Sequence, residues 1–192
     1  MLDYLNQIDT KLFVFLNGLH LDFLDPIMLF LSYNKVFMGL IFLTALTHAI
    51  IKYKKKAIGI FFLALIAFGL SDSISSRVFK PGFKRLRPCH QEELKEKVYL
   101  ANKKCWGGKY GFVSSHASNS FAIAVFFLLV MKSPIYWLMI LHAALVSYSR
   151  VYLAKHFPGD IFFGAILGTI IAFICYSIFK KLTTDRVVDS LK

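Results

Sequence analysis

The sequence predicts an all-helical integral membrane bundle of five to six transmembrane helices, with an amphipathic helix at its N-terminus. The chain of 192 residues is 57% hydrophobic and 16% aromatic, which is too apolar for an ordinary soluble domain. Its apolar residues also gather in segments of membrane-spanning length, about 20 residues for a helix. The length suits a single membrane-embedded domain over residues 1–192.

Five apolar segments reach or approach the spanning length. We predict spans at residues 36–51, 57–79, 117–131, 135–149 and 159–179. The first 35 residues are less regular, because polar residues and Pro26 interrupt their apolar run. A sixth span, a bent hairpin or an interfacial amphipathic helix all fit this pattern. We favour an amphipathic helix over residues 3–18, with a break near Pro26.

The positive charges separate into two groups. The formal net charge is +12, but Lys and Arg punctuate the apolar segments and line no polar face, which argues against a nucleic-acid partner. Counting crossings places residues 52–56, 132–134 and 180–192 on one side of the membrane, and residues 80–116 and 150–158 on the other. The first side is lysine-rich and is therefore predicted to be cytoplasmic. The 80–116 loop is also basic, which conflicts with this rule unless its cations bind phosphate.

Three polar clusters lie at the edges of the spans, and the crossing count places all three on one face. They are residues 80–88 (KPGFKRLRP), Ser114-Ser115-His116, and Ser149-Arg150 followed by His156 and Asp160. Phosphoryl transfer depends on positioning and on charge stabilisation of the phosphate oxygens. Lys80, Arg87 and Arg150 supply that charge, although snorkelling at a helix end is the alternative for the lysine. Ser114, the Ser115 backbone and the following helix amides form a candidate oxygen cradle.

Two histidines and one carboxylate in these clusters suit nucleophilic and acid–base chemistry. His156 and Asp160 are four residues apart, so a helical turn would let the carboxylate hold one ring nitrogen and leave the other free to attack. Pro158 disfavours a regular helix there, and Asp160 taken alone is more simply explained as a helix cap. His116 lies where it can protonate a leaving oxygen, although an interfacial histidine is the plainer alternative.

Together the clusters resemble the signature of the type 2 phosphatidic acid phosphatase superfamily, which includes membrane lipid phosphatases and the vanadium haloperoxidases. The family pattern is Lys-x6-Arg-Pro, then Pro-Ser-Gly-His, then Ser-Arg-x5-His-x3-Asp. Residues 80–88 and 149–160 match the first and third motifs fully. The middle motif keeps its serine and histidine but has Val113 and Ser115 in place of proline and glycine. This departure concerns substrate preference more than activity.

The resemblance implies a role for each residue of the clusters. His156 would be the nucleophile that forms a phosphohistidine, Asp160 would orient it, and His116 would be the general acid for the departing lipid oxygen. The phosphate would be bound by Lys80, Arg87, Ser114, Ser115 and Arg150. No metal and no other cofactor is implied.

The resemblance also implies hydrolysis of a lipid phosphate or pyrophosphate. The protein would be a multi-pass protein of the bacterial inner membrane, with the bilayer and a membrane lipid as its partners and its active site facing the periplasm. Undecaprenyl pyrophosphate is the first choice, and lipid A 1-phosphate, phosphatidylglycerophosphate, phosphatidic acid or transfer to another lipid are alternatives. A non-catalytic phospholipid carrier or scramblase is the alternative from another class. The sequence does not indicate an oligomeric state.

Further polar residues lie outside the motifs. Cys89 and Cys105 both fall in the 80–116 loop, so an oxidising periplasm would favour a disulfide between them, with two free thiols as the alternative. Asp72 lies inside the second predicted span, where an acidic residue usually has a partner, and we expect a nearby cation or serine. Arg85 is expected to bind phosphate or anionic headgroups, and His142 to be a packed helix residue.

Overall fold

The computed structural model of the chain describes residues 2–101, 104, 105 and 107–189. Within these residues the structure is helical and contains no strand, although an isolated bridge pairs Leu86 with Tyr110. The α-helices are α1 Leu2–Gly18, α2 Asp25–Tyr33, α3 Lys35–Tyr53, α4 Ala57–Ser73, α5 Lys80–Phe83, α6 Ser115–Met131, α7 Trp137–Tyr152 and α8 Pro158–Asp189. A π-helix, Ile74–Phe79, joins α4 to α5, and short 3-10 turns occupy Asp22–Leu24, Lys54–Lys56, Pro88–His90, Glu92–Leu94 and Pro134–Tyr136. The predicted all-helical class is confirmed.

Long apolar helices account for the membrane-spanning part of the chain. Within the described residues, Lys35–Phe83 and Pro158–Thr183 are long and apolar enough to cross a membrane, and a third span exists if the bent pair Asp3–Gly18 and Asp22–Tyr33 crosses as one. The first segment has 49 residues, which exceeds the roughly 20 that one crossing needs. Lys54 interrupts it with a φ of 50°. The number of five to six crossings stays a prediction.

Helices α3 and α4 lie side by side. Met38 of α3 and Phe68 of α4 line the same cavity, whereas a straight helix would separate them by about 45 Å. The ring centroids of Phe42 and Phe61 are 6.5 Å apart. The chain therefore reverses direction at Lys54.

A close seam between α6 and α8 forms the centre of the bundle. A Cβ atom on Gly168 would lie 2.1 Å from the carbonyl oxygen of Ser118, and one on Gly164 would lie 2.7 Å from that of Ser114. Glycine is required because any side chain would push the two backbones apart. The seam thereby fixes the start of α6 against the first turns of α8.

Helix α1 has a polar and aromatic inner face and an apolar outer face. Asp9, Phe13 and Asn17 follow one another at intervals of four and so share one face, and the last two are fully buried. The exposed apolar residues are Tyr4, Leu5, Ile8, Leu12 and Phe15. The chain then bends by 92° between α1 and α2, just before Pro26. This division agrees with the predicted amphipathic helix, whose position in the membrane interface stays a prediction.

The two ends of the bundle differ in chemistry. Lys52 Nζ donates to the carbonyl of Met131, and the Tyr53 hydroxyl donates to that of Val130 at 2.6 Å, so the lysine-rich turn lies beside the end of α6. The three polar clusters lie at the other end, where α6 begins. Among the described residues, Lys52 and the polar clusters therefore lie at opposite ends of the bundle, and the membrane sides that the crossing count assigns to them stay a prediction.

Candidate active site

The three polar clusters meet at one end of the bundle. Lys80 Nζ donates to Ser115 Oγ at 2.6 Å, which joins the first cluster to the second. The backbone N–H of Ser114 donates to the carbonyl of Asp160 at 3.0 Å, which joins the second cluster to the third. The α6–α8 seam makes this second contact possible, because it brings the N-terminal ends of both helices together.

Buried cations crowd around His156. Arg87, Arg150 and Lys155 are 8%, 4% and 3% exposed, and His156 itself is 1% exposed. Burial and the charges of Arg150, Arg87 and Lys80 lower the pKa of His156 well below its usual value, so that its ring is neutral and keeps a lone pair. Burial also lowers the pKa of Lys155 to about 8, with help from the two arginines. This concentration of positive charge suits an anionic ligand.

His156 and Asp160 face each other across a turn. His156 Nδ1 lies 3.4 Å from Asp160 Oδ2. The same Oδ2 accepts the N–H of Phe157 at 3.0 Å. Because α8 begins at Pro158, the pair spans a turn and the first turn of a helix. With Nδ1 directed at the carboxylate, Nε2 lies on the far side of the ring.

Arg85 bridges two carboxylates. Its Nη1 donates to Asp160 Oδ1 at 2.9 Å and its Nη2 donates to Asp9 Oδ2 at 2.7 Å, while the guanidinium lies 4.2 Å from the ring centroid of Phe157. Asp9 Oδ1 also accepts the N–H of Gly159 at 2.7 Å. The sequence predicts that Arg85 binds phosphate or headgroups, but its fork is already occupied by two carboxylates. Helix α1 is thereby linked to Asp160 through Arg85.

Gly111 packs directly against the His–Asp pair. Its N–H donates to the carbonyl of Arg85 at 2.8 Å. A Cβ at this position would lie 2.9 Å from Asp160 Oδ2 and 3.4 Å from His156 Nδ1. Gly111 is one of 11 glycines, and no local motif distinguishes it from the others, so sequence reasoning does not identify it.

The middle cluster begins α6. Ser114 is the N-cap, because its Oγ accepts the N–H of Ala117 at 3.4 Å, and its role as a phosphate ligand stays a prediction. Ser115 Oγ is held by Lys80. Ser115 and His116 lie in the first turn of α6, where backbone N–H groups have no partner within the helix and suit phosphate oxygens.

Contacts with neighbouring segments fix the positions of Arg150 and of the basic 80–116 loop. Arg150 Nη1 contacts Ser32 Oγ, and its guanidinium lies 5.4 Å from the ring centroid of Tyr33, so the end of α2 orients it. Cys89 and Cys105 form a disulfide within the 80–116 loop. Because the Cys89 N–H also donates to the carbonyl of residue 154 at 3.3 Å, the loop is tied to the turn that carries the histidine.

A cavity of about 730 Å³ extends from the start of α6 into the apolar part of the bundle. Ser115 and His116 line its polar end, and apolar side chains such as Ile41, Leu65 and Met139 line the remainder. Its walls come from α3, α4, α6 and α7, with the end of α2 at the rim. The size and lining are typical of a site for an apolar ligand with a polar head.

Asp72 lies in the wall of this cavity, and its partner differs from the one expected. Asp72 Oδ1 accepts a hydrogen bond from Asn119 Nδ2 at 3.0 Å. The hydroxyls of Ser75 and Ser76 donate to the backbone carbonyl of Asp72 and not to its carboxylate. The expectation of a serine near Asp72 therefore holds for its backbone, while an amide from α6 pairs with its side chain.

A neutral buried histidine beside a carboxylate, surrounded by cations, is suited to transfer of a phosphoryl group. Residues 57–184 match the model of the PAP2 superfamily. The chain belongs to the PAP2 superfamily. The matched region contains all three clusters, and the prediction of a lipid phosphatase from this family is confirmed.

Curated relatives match over most of the chain. A lipid A 4'-phosphatase of Bacteroides thetaiotaomicron is 32% identical over an alignment of 196 positions including gaps, which covers 99% of this chain and 85% of that protein. A lipid A 4'-phosphatase of Porphyromonas gingivalis is 33% identical over 181 residues, with coverages of 93% and 75%. An undecaprenyl-diphosphatase of Sulfolobus acidocaldarius is 32% identical over 185 residues, with coverages of 96% and 84%.

Solved structures share the fold. The crystal structure of Aquifex aeolicus LpxE matches with a TM-score of 0.63 at 25% identity, over 88% of this chain and 94% of that one. The transmembrane PAP2 type phosphatidylglycerolphosphate phosphatase of Bacillus subtilis matches with a TM-score of 0.71 at 19% identity, over 93% and 87%. The helical bundle of the PAP2 protein described here is therefore a membrane fold of known type.

Proposed function

We propose that this PAP2 protein hydrolyses the phosphate ester or diphosphate of a membrane lipid through a phosphohistidine at His156, without a metal. The observation that carries the proposal is the buried His156–Asp160 pair, which is surrounded by cations and lies close to His116, a residue that lines an apolar cavity. The cations complement the phosphate, and the cavity complements a lipid chain. The nearby carboxylates of Asp9 and Asp160 are already paired with Arg85.

The reaction runs in two halves. In the first, Nε2 of His156 attacks phosphorus, the bond from phosphorus to the lipid oxygen breaks, and that oxygen takes a proton from His116. Burial and the cations lower the pKa of His116 to about 3, so His116 gains this proton when the bound phosphate anion offsets the cations. Asp160 holds the ring at Nδ1 and stabilises its developing positive charge, while the cations stabilise the phosphate oxygens. In the second half, water attacks the phosphohistidine and gives a proton to His116. Phosphate leaves, and both histidines return to their starting state.

The first substrate that we propose is a phosphomonoester of the lipid A type. Two relatives of this class are 32% and 33% identical to the chain and cover 99% and 93% of it. Sequence reasoning favours undecaprenyl pyrophosphate, and one relative of that activity supports it as the second candidate. The lipid A phosphomonoester and undecaprenyl pyrophosphate need the same phosphate site, and they differ in the part of the lipid that would occupy the apolar cavity.

Phosphate release by the purified protein in EDTA tests the chemistry. We expect the wild type to release phosphate from at least one of the two lipids, and His156→Ala to lose at least about a thousandfold in kcat, because it lacks the nucleophile. His48→Ala is the matched control, since that ring bonds Tyr136 away from the site at 2.9 Å. Rapid quenching with a labelled substrate should trap label on the wild-type protein. Unchanged activity of His156→Ala refutes the mechanism.

Product analysis separates the alternatives. Movement of lipid between leaflets without phosphate release would indicate a scramblase, and appearance of the label in a second lipid would indicate a phosphotransferase. Hydrolysis predicts inorganic phosphate as the labelled product.

We also propose that the site faces the periplasm of a bacterial inner membrane. The lysine-rich turn at residues 52–56 lies at the opposite end of the bundle, which suits a cytoplasmic position, and the Cys89–Cys105 disulfide suits an oxidising compartment. A membrane-impermeant maleimide should label Lys97→Cys in intact cells and Lys55→Cys only after permeabilisation. The reverse pattern contradicts this orientation.

A further inference from the structure

Four polar side chains line the apolar cavity below the phosphate site, and the proposed phosphoryl chemistry uses none of them. They are Asp72 of α4, Asn119 and Ser120 of α6, and His142 of α7. Polar groups within membrane-spanning helices are rare, and they usually mark a binding or transport function. Their position around a single cavity indicates a ligand that carries hydrogen-bonding groups.

These side chains satisfy one another only in part. Asn119 Nδ2 donates to Asp72 Oδ1 at 3.0 Å, which fixes the orientation of the amide. Within the described part of the chain, Asn119 Oδ1, Ser120 Oγ and His142 Nε2 are buried and have no hydrogen-bond partner. Buried polar atoms are normally paired in folded proteins. Three such atoms from residues of one cavity are therefore well suited to pair with a ligand.

The depth of the cluster matches the chemistry of an acylated lipid. Asn119 and Ser120 follow His116 by one turn of α6, which places them about 5 Å deeper along the helix. In an acylated sugar phosphate or glycerol phosphate, the first ester or amide lies only a few covalent bonds from the phosphate. A polyprenyl diphosphate carries a second phosphate and then hydrocarbon after the reacting phosphorus, so it offers these atoms neither an ester carbonyl nor an amide.

The cluster offers both a donor and an acceptor. The hydroxyl of Ser120 donates to a carbonyl oxygen, and Oδ1 of Asn119 accepts from an amide N–H or from a hydroxyl. The Nε2 of His142 does either, according to its tautomer. An amide-linked or hydroxylated acyl chain supplies partners for both kinds of group. Sequence reasoning treats His142 as a packed helix residue and gives no reason to expect this pairing.

We propose that Asn119, Ser120 and His142 form a linkage subsite, which binds the ester or amide of an acylated phosphate lipid while its phosphate contacts His156. Asp72 holds Asn119 in place. The linkage subsite rests on the proposed function and adds to it a preference for acylated lipids over polyprenyl lipids.

The test compares lipids that differ at the linkage. The probes are a diacylated glucosamine 4-phosphate, its counterpart with ether-linked chains that lack the carbonyls, and undecaprenyl diphosphate. We expect the wild-type kcat/KM for the acylated lipid to exceed that for the ether lipid by about tenfold, the value of one or two hydrogen bonds. In the double variant Ser120→Ala with His142→Phe, the ratio of kcat/KM for the acylated lipid to kcat/KM for the ether lipid should fall to about one. The kcat/KM of this variant for undecaprenyl diphosphate should stay within about twofold of wild type.

A matched control separates the subsite from a general effect of polarity. Ser177→Ala also removes a serine hydroxyl from a membrane helix, but that hydroxyl bonds the carbonyl of Phe173 on the exposed side of α8 at 2.8 Å. This variant should keep the wild-type ratio. Because both rates of each ratio come from one preparation, a partly unfolded variant lowers them equally and leaves the ratio unchanged.

The outcomes distinguish the two proposals. Equal rates of the wild type on acylated and ether lipids, or a wild-type ratio in the double variant, would overturn the linkage subsite and leave the proposed function standing. No phosphate release from any of the three lipids, with no phosphohistidine at His156, would overturn the proposed function and the linkage subsite together.

Discussion

Replacing Arg85 tests whether the active site depends on a bridge that begins in α1. In Arg85→Gln, Asp160 loses a hydrogen bond of 2.9 Å and Asp9 loses one of 2.7 Å. Asp160 is fully buried, so its carboxylate is left without its nearest cation. The position of the Asp160 carboxylate beside Nδ1 of His156 is then less well fixed.

The structure sets the size of the expected effect. A hydrogen bond between charged groups contributes about 1.5–3 kcal/mol. The hydrogen bond from Arg85 to Asp9 contributes less to stability, because the side chains of Arg85 and Asp9 are 20% and 15% exposed and water replaces part of the interaction. The hydrogen bond from Arg85 to the fully buried carboxylate of Asp160 contributes most. We therefore expect a loss of about 2–3 kcal/mol in the free energy of unfolding. A similar loss in the transition state lowers kcat by about 30- to 150-fold.

The assay measures kcat and KM separately on a lipid phosphate in micelles. Because Arg85 contacts carboxylates, we expect kcat to fall while KM changes less than about threefold. Arg85→Lys keeps the charge and one of the two bonds, and should recover about tenfold of the loss. Lys95→Gln removes a cation that is 69% exposed and should leave both constants unchanged.

Two results would refute this reasoning. A raised KM with an unchanged kcat would show that Arg85 binds the phosphate, as the sequence suggests. A variant that is less stable, yet shows wild-type kcat per folded molecule, would show that the bridge supports the fold without positioning His156.

Three further substitutions test the electrostatics and the packing. Arg87→Gln removes a charge that lowers the pKa of His156, so the acid limb of kcat/KM, below about pH 6.5 in the wild type, should move to higher pH; a fixed limb would contradict this. Gly111→Ala sets a Cβ 2.9 Å from the carboxylate of Asp160 and should lower kcat more than about tenfold while circular dichroism still shows a folded protein. Gly168→Ala sets a Cβ 2.1 Å from an α6 carbonyl and should lower the Tm by about 2–10 °C, whereas Gly59→Ala, with open space around it, should not.

The fold class and the main clusters can be predicted because their signals are local. In lipid, backbone polar groups must bond within their own segment, so long apolar runs indicate helices. The motif residues Lys80 and Arg87, and likewise Arg150, His156 and Asp160, lie within short stretches of chain. Their spacing is therefore visible without knowledge of how the helices pack.

The remaining site residues depend on packing between distant segments. Asp9 accepts the N–H of Gly159, which lies 150 positions away in the sequence, and no periodicity in α1 predicts this contact. The requirement for glycine at residue 111 arises from two side chains of another segment. Sequence reasoning also starts the third span at Ala117, whereas α6 begins at Ser115, because Ser114 serves as the N-cap.

The glycine seam between α6 and α8 makes this part of the bundle more tightly packed than the part that contains α3. Backbone contact at Gly164 and Gly168 holds α6, which carries His116, tightly against α8, which carries Asp160. Helix α6 buries nine residues along its length, whereas α3 buries Ala45 and Ala49. We therefore expect α3 to be the wall of the cavity that moves most easily. In the proposed reaction a lipid would enter and leave past α3, while His116 and Asp160 keep their spacing because α6 and α8 are in backbone contact.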